Sequence, residues 1–175
     1  NHMWDINKNI TLELKSVKLL LDPKNLSINI KTLEPVLLVN NNRLELESIN
    51  TNISLKAFIN NDFSVDDLHI STKKIQLKDL IQLAKSLKYS PELFILDRFI
   101  KDGFLVCDLN LNFDKEGNIK KDYEIKGFIK KGKLDILNKY SVNDLDFTFN
   151  IYDKKFSFKN IKVTFNQIKL SSSLI

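Results

Sequence analysis

Residues 145–165 read LDFTFNIYDKKFSFKNIKVTF, and the alternation in them decides the fold. Phe147, Phe149 and Ile151 fall two apart, as do Phe156 and Phe158, and then Ile161, Val163 and Phe165. Side chains on a strand point to opposite faces with period 2, so each run makes one oily face and one wet face. The same rhythm precedes it. Leu105, Cys107, Leu109, Leu111 and Phe113 alternate with mostly polar residues, and Tyr123 and Ile125 continue the pattern. Asp114-Lys115-Glu116-Gly117 and Asp153-Lys154-Lys155 read as hairpin connections between these strands.

Moving outward, the N-terminal third carries the same signal. Ile10, Leu12 and Leu14 alternate, and then Val17, Leu19 and Leu21 in the opposite phase, which predicts a bulge or bend at Ser16. Asp22-Pro23-Lys24-Asn25 and Asn40-Asn41-Asn42 are turn signals, and Glu34-Pro35 restarts the chain. Leu26, Ile28 and Ile30, then Leu44 and Leu46, then Ile53, Leu55 and Ala57, then Leu68 and Ile70 fill the remaining strands. Between the two strand blocks the spacing of Leu80, Ile81, Leu83, Ala84 and Leu87 turns helical. Ser90-Pro91-Glu92 supplies a capping Ser, a Pro at the first helical position and an acid in the first turn, and Gly103 is placed to end that helix. Two short helices, roughly 78–88 and 91–101, are expected.

The fold class that follows is mainly β with two short helices (α+β), its long antiparallel strands forming a curved, groove-like sheet. Four Gly and three Pro in 175 residues are sparse for a tightly turned sandwich, and Asn, Asp and Lys carry the turns instead. Strands of about 7–10 residues would be roughly 25–30 Å long. Residues 1–3 (Asn1-His2-Met3) read as an expression remnant, and 4–175 as a single module, a fragment of a larger β-rich protein.

Composition narrows the function. A net charge of +5, with basic residues spread among 22 acids, lacks the clustered Lys and Arg of a nucleic-acid binder, so no nucleic acid is expected. Lys130-Lys131-Gly132-Lys133 and Lys154-Lys155 read as solvated turns. One cysteine excludes an internal disulfide, and Cys107, in phase with Leu105 and Leu109, reads as a small apolar residue of the inward face. His69, the only histidine outside the N-terminal remnant, reads as exposed on the polar face of a strand, without a nucleophile to serve. Metal sites, phosphate loops and calcium loops find no matching spacing, and no cofactor is expected. Glu45-Glu47 and Asp66-Asp67 face water on the local pattern. Asn-x-Ser/Thr matches at Asn9, Asn25 and Asn52 are the chance yield of so Asn-rich a chain. No catalytic set is expected.

What remains is burial. If the apolar face is left open, each methylene sheltered there is worth ~0.8 kcal/mol, so a sixteen-carbon chain would gain on the order of 10 kcal/mol before ordering costs. The lining would be Leu105, Cys107, Leu109, Leu111, Phe147, Phe149, Ile151, Phe156, Phe158, Ile161, Val163 and Phe165. The alternative is a non-catalytic structural or protein-interaction domain whose sheet is fully covered, by the two helices or by a second sheet. Periodicity alone leaves both open.

Two stretches add a resemblance. Residues 28–87, INIKTLEPVLLVNNNRLELESINTNISLKAFINNDFSVDDLHISTKKIQLKDLIQLAKSL, run from an extended strand to Glu34-Pro35, through a strand pair at ISLKAFI and the VDDLHISTKKIQLKDLIQL step, into short helices. Residues 127–174, GFIKKGKLDILNKYSVNDLDFTFNIYDKKFSFKNIKVTFNQIKLSSSL, form a repeating strand unit. In phrasing the chain resembles the AsmA-like family of bacterial envelope bridge proteins. The resemblance implies a periplasmic β-groove that shields phospholipid acyl chains between inner and outer membranes. It also implies a parent anchored in the inner membrane through a segment outside this sequence, with adjacent segments of the parent as neighbours. It carries no catalytic residues.

Overall fold

The computed structural model describes residues 10–40 and 42–174. Its elements are β1 (Ile10–Glu13), β2 (Ser16–Asp22), β3 (Ser27–Leu33), β4 (Val36–Val39), β5 (Asn42–Ser54), α1 (Leu55–Ile59), β6 (Val65–Thr72), β7 (Ile75–Gln76), α2 (Leu77–Leu87), α3 (Pro91–Phe99), β8 (Ile100–Asn112), β9 (Glu124–Ile136), β10 (Tyr140–Tyr152), β11 (Lys155–Phe165) and β12 (Ile168–Leu174). All twelve strands join one open, curved antiparallel sheet. From β8 to β12 each strand pairs with the next, so the order in space is the order in the chain.

The first strands are two long strands, each broken once. β3 and β4 lie end to end along β5, with Leu33 opposite Ser48 and Val36 opposite Glu45. The join is Glu34, at φ 50°, followed by Pro35. β2 and β1 flank them in the same way. The phase change expected at Ser16 is therefore a break between two strands, level with the Glu34-Pro35 kink, and Lys15 Nζ reaches Glu34 Oε2 across it at 3.5 Å.

Curvature of the second block has a local source. Gly103, Lys131, Asp144 and Asn160 have φ of 121°, 53°, 53° and 54°, one in each of β8, β9, β10 and β11. The ladders slip register beside each of them. An extra residue in one strand bends it and increases its twist, so a bulge repeated in neighbouring strands coils the sheet. Asp146 fastens this row: its Oδ1 accepts from the Lys131 backbone N–H at 2.8 Å, and its Oδ2 lies 3.2 Å from Lys130 Nζ. The bulge at Asn160 also explains why Phe156 and Phe158 are even-numbered but Ile161, Val163 and Phe165 odd: the chain gains one residue and keeps its oily side on one face.

Several local expectations are corrected. Lys130-Lys131-Gly132-Lys133 is a bulge inside β9, not a turn. Gly103 does not end the second helix, which stops at Phe99; it lies in β8, where a Cβ would sit 2.8 Å from the Gly132 Cα. Leu55 and Ala57 are not strand residues, because Ser54 accepts from the Ala57 N–H and starts the one-turn α1. Ser90 precedes α3, but its hydroxyl is engaged by Glu92 instead of a backbone N–H. Strands β8, β9 and β10 have 13 residues each, longer than expected. The expected Asp153-Lys154 hairpin forms, with both residues at positive φ between paired Tyr152 and Lys155. Of the Asn-rich signals, Asn41 and Asn9 lie outside the described residues.

The dense core is small and lies at one end. Val36, Val39, Leu46, Ile75, Leu77, Ile81, Leu83 and Leu105 are the buried hydrophobic residues. They belong to α2 and to the strands it packs on, β4, β5, β7 and β8. α3 is tied back to α2 by Asp97, which accepts from Lys85 Nζ at 2.5 Å and from Gln82 at 2.9 Å. The chain exposes 12533 Å². A compact monomer of its 20.4 kDa would expose about 8,800 Å². That excess is the price of a sheet without a second layer.

Candidate functional site

Residues directly opposite in an antiparallel ladder share a face. Following the register from strand to strand therefore shows which side chains stand together. One row runs Val17, Thr32, Ile49, Ile70, Leu109, Ile125, Ile151, Phe156. It crosses eight strands and, at about 4.8 Å between neighbours, is on the order of 35 Å long. Parallel to it run Leu19, Ile30, Thr51, Leu68 and Leu111 on one side. On the other run Cys107, Gly127, Phe149 and Phe158. Along these rows the face is apolar, broken by Thr32, Thr51 and the bare Gly127, and Thr72 and Ser172 are polar residues elsewhere on it.

All twelve sequence-predicted lining residues stand on this face. Phe147, Phe149 and Phe158 form an aromatic cluster, with Phe147 5.6 Å from Phe158 and 6.3 Å from Phe149 between ring centroids. Ile161 faces Ser172, Val163 faces Leu170 and Phe165 faces Ile168 of the last strand. Most of the twelve are half-buried, and Phe156 is 66% exposed. Leu105 is different: at 8% exposed, paired with Ile75, it belongs to the core under α2. Cys107 is half-buried among these residues; burial pushes its thiol up, against a hydrogen bond from Thr72 Oγ1 to Sγ at 3.9 Å.

The face is wider than the sequence-predicted lining. Ile28, Ile30, Ile49, Ile53, Leu68 and Ile70 extend it through the N-terminal half, and Ile125 and Ile129 fill it between β8 and β10. The signal for them was present, since all but Ile129, which follows Phe128, alternate with polar neighbours. What the sequence lacks is the register that places both blocks on one continuous surface.

The opposite face is a polar lattice. Asn29 Nδ2 donates to Asn52 Oδ1 at 2.8 Å and Asn52 Nδ2 to Asp67 Oδ2 at 2.7 Å. His69 Nδ1 meets Asn110 Oδ1, and Ser71 Oγ donates to Asp108 Oδ1 at 2.7 Å. Asn150 Nδ2 donates to Glu124 Oε1 at 3.1 Å. His69 is thus on the polar face as expected, but half-buried among neighbours instead of exposed, and Asp67 likewise does not simply face water. These cross-strand pairs help hold register without a packed second layer, although Asn50 Oδ1 and Asn150 Oδ1 are buried without a partner among the described residues.

Two hollows bear on ligand binding. One of about 700 Å³ lies between β5, β7 and α2, with Arg43, Glu45, Lys73 and Asp79 on its wall. Most of these charges are matched: Arg43 pairs with Glu13 and Glu45, and Lys73 with Glu34 at 2.9 Å. The other, of about 430 Å³, opens on the apolar face at the end away from α2, with Leu109, Leu111, Tyr123, Ile125 and Ile119 as its floor and wall. Its lining is almost wholly hydrocarbon. Among the described residues, no group of three or more His, Cys, Asp or Glu is placed to hold a metal, and no helix is long and apolar enough to cross a membrane.

No protein-family model, no curated protein and no solved structure matches this chain.

Proposed function

We propose that this chain is a lipid-binding, lipid-transfer module that shelters phospholipid acyl chains on the open apolar face of its sheet. The observation that carries the reading is the continuous apolar face spanning β2 to β12, with the dense core beneath α2 at one end and largely half-buried or exposed apolar residues along the rest. Monomeric soluble proteins rarely leave contiguous apolar patches of more than a few hundred Å² uncovered unless something binds there. A hydrocarbon chain suits the face because it asks for no hydrogen bonds and gains ~0.8 kcal/mol per sheltered methylene. The setting that goes with this proposal is an AsmA-like protein of the periplasm, its parent anchored in the inner membrane and adjacent parent segments continuing the sheet. The chemistry proposed is non-catalytic.

Native mass spectrometry of the purified protein tests the proposal, with bound phospholipid expected as discrete mass additions. Phe147→Asp should leave a folded protein, judged by circular dichroism, that retains several-fold less lipid. A wild-type protein that stays lipid-free after incubation with phospholipid vesicles would defeat the reading. A protein instead carrying a stoichiometric polypeptide on this face would favour the alternative of a structural interaction domain.

A further inference from the structure

The end of the apolar face remote from α2 has a charged rim. Lys120, Lys121 and Lys154 stand beside the hollow floored by Leu109, Leu111 and Ile125. All three are exposed, and among the described residues none is held in an ion pair, unlike Lys73, Lys85, Lys126 and Lys130. Asp122 and Asp153 adjoin them in sequence but make no ion pair with them among the described residues, Asp122 accepting instead from Asn112 Nδ2 at 3.0 Å. Two separate connections, the 113–123 loop and the Asp153-Lys154 turn, bring these ammonium groups to one mouth.

We infer that this mouth is a headgroup site, at which the three lysines take the phosphate of an anionic phospholipid whose acyl chain lies on the strand track from Leu111 toward Leu105. The inference rests on the lipid-binding reading and gives it a selectivity and a polarity. The geometry suits a molecule with an anionic end and a long apolar body. From Leu111 to Leu105 the track is about 20 Å, longer than the ~15 Å that the chains of one leaflet occupy. It ends at the core beneath α2, so the α2 end is closed to a chain and the lysine end is open. A zwitterionic headgroup would bring its own cation against the lysines and lose their attraction; an anionic one keeps it.

The test uses the whole chain and vesicles of equal parts phosphatidylglycerol and phosphatidylcholine with identical acyl chains. After incubation and separation, native mass spectrometry counts each bound lipid. The wild type should enrich phosphatidylglycerol by roughly fivefold, the factor expected of one ammonium at a lipid surface. In Lys120→Gln/Lys121→Gln/Lys154→Gln the ratio should fall to about one, with bound phosphatidylcholine unchanged. No enrichment in the wild type, or enrichment that survives the triple substitution, overturns the headgroup site and leaves the acyl-binding reading standing. Failure of the wild type to retain either lipid overturns both.

Discussion

Two ends of the same strands meet different fates. On β8, Leu105 is buried beside Ile75, at the end on which α2 packs. Four and six residues further along, on the same face and in the same alternation, Leu109 and Leu111 floor an open hollow. Nothing in the strand distinguishes them. What differs is whether another element lies above: α2 packs on β4, β5, β7 and β8, and α3 on β8 and β9. Period-2 patterning specifies a face and not its cover, so one pattern serves a folding core at one end and a binding surface at the other.

The strongest way to break this comparison is to cut both ends equally. Ile81→Ala, beneath the helix, should cost about 3 kcal/mol in urea denaturation, because a buried aliphatic side chain leaves a cavity. Phe158→Ala removes a larger side chain, yet should cost only about 1 kcal/mol, because its site is half open and the transfer term is already partly forfeited. It should instead lower bound lipid in native mass spectrometry. If Phe158→Ala proved as destabilising as Ile81→Ala, the open face would be a core after all.

A second cut sharpens where the open face is rigid. Gly127 stands between Cys107 and Phe149 in the apolar rows, and a Cβ there would lie 2.3 Å from the Val106 carbonyl oxygen and 2.8 Å from the Cys107 Cβ. Neither atom belongs to a flexible side-chain tip, so the strands must part. Gly127→Ala should cost about 1–3 kcal/mol, the usual range for overpacking, although Gly127 lies one pair beyond the buried Leu105 and not within the dense core. A neutral outcome would mean that the uncovered sheet yields easily, and that its backbone does not hold the trough in shape.

How much of this was legible before the structure divides along the same line. The fold class, the two hairpins and both main helices followed from periodicity and turn chemistry, because these are local. Phe147, Phe149 and Val163 could be assigned to one face for the same reason. The bulges could not be located as a row: Lys131 carries no mark of a left-handed residue, and the marks at Gly103, Asp144 and Asn160 are ones that turns and helix ends share, so Lys130-Lys131-Gly132-Lys133 looked like a turn. The separate fate of Leu105 was equally hidden, because it is set by Ile75 and α2, about thirty residues away in the chain. The lysine mouth was the least visible. Lys120, Lys121 and Lys154 come from two connections, and only strand register brings those together.

The smallest expected effect concerns the bulge row that coils the sheet. Asp146 titrates below its ordinary value of 3.8: partial burial raises it, but the Lys131 N–H, Lys130 and Lys162 lower it by more. A carboxyl depressed on folding stabilises the fold above its unfolded value, and the contribution disappears as pH falls through the lower folded value. Asp146→Asn should therefore be less stable than wild type by about 1 kcal/mol at pH 7, the scale of one partly exposed charged hydrogen bond. The gap between the two proteins should narrow as pH drops below about 4. Urea titrations at pH 7 and pH 3 measure it, and the difference isolates this group because the other depressed carboxyls, such as Asp97 and Asp114, are common to both proteins. A gap that stays constant with pH would mean that Asp146 holds the bulge by shape alone. A gap that closes would show that the bulge row, which lies level with the core beneath α2, is fastened by charge where that core is fastened by packing.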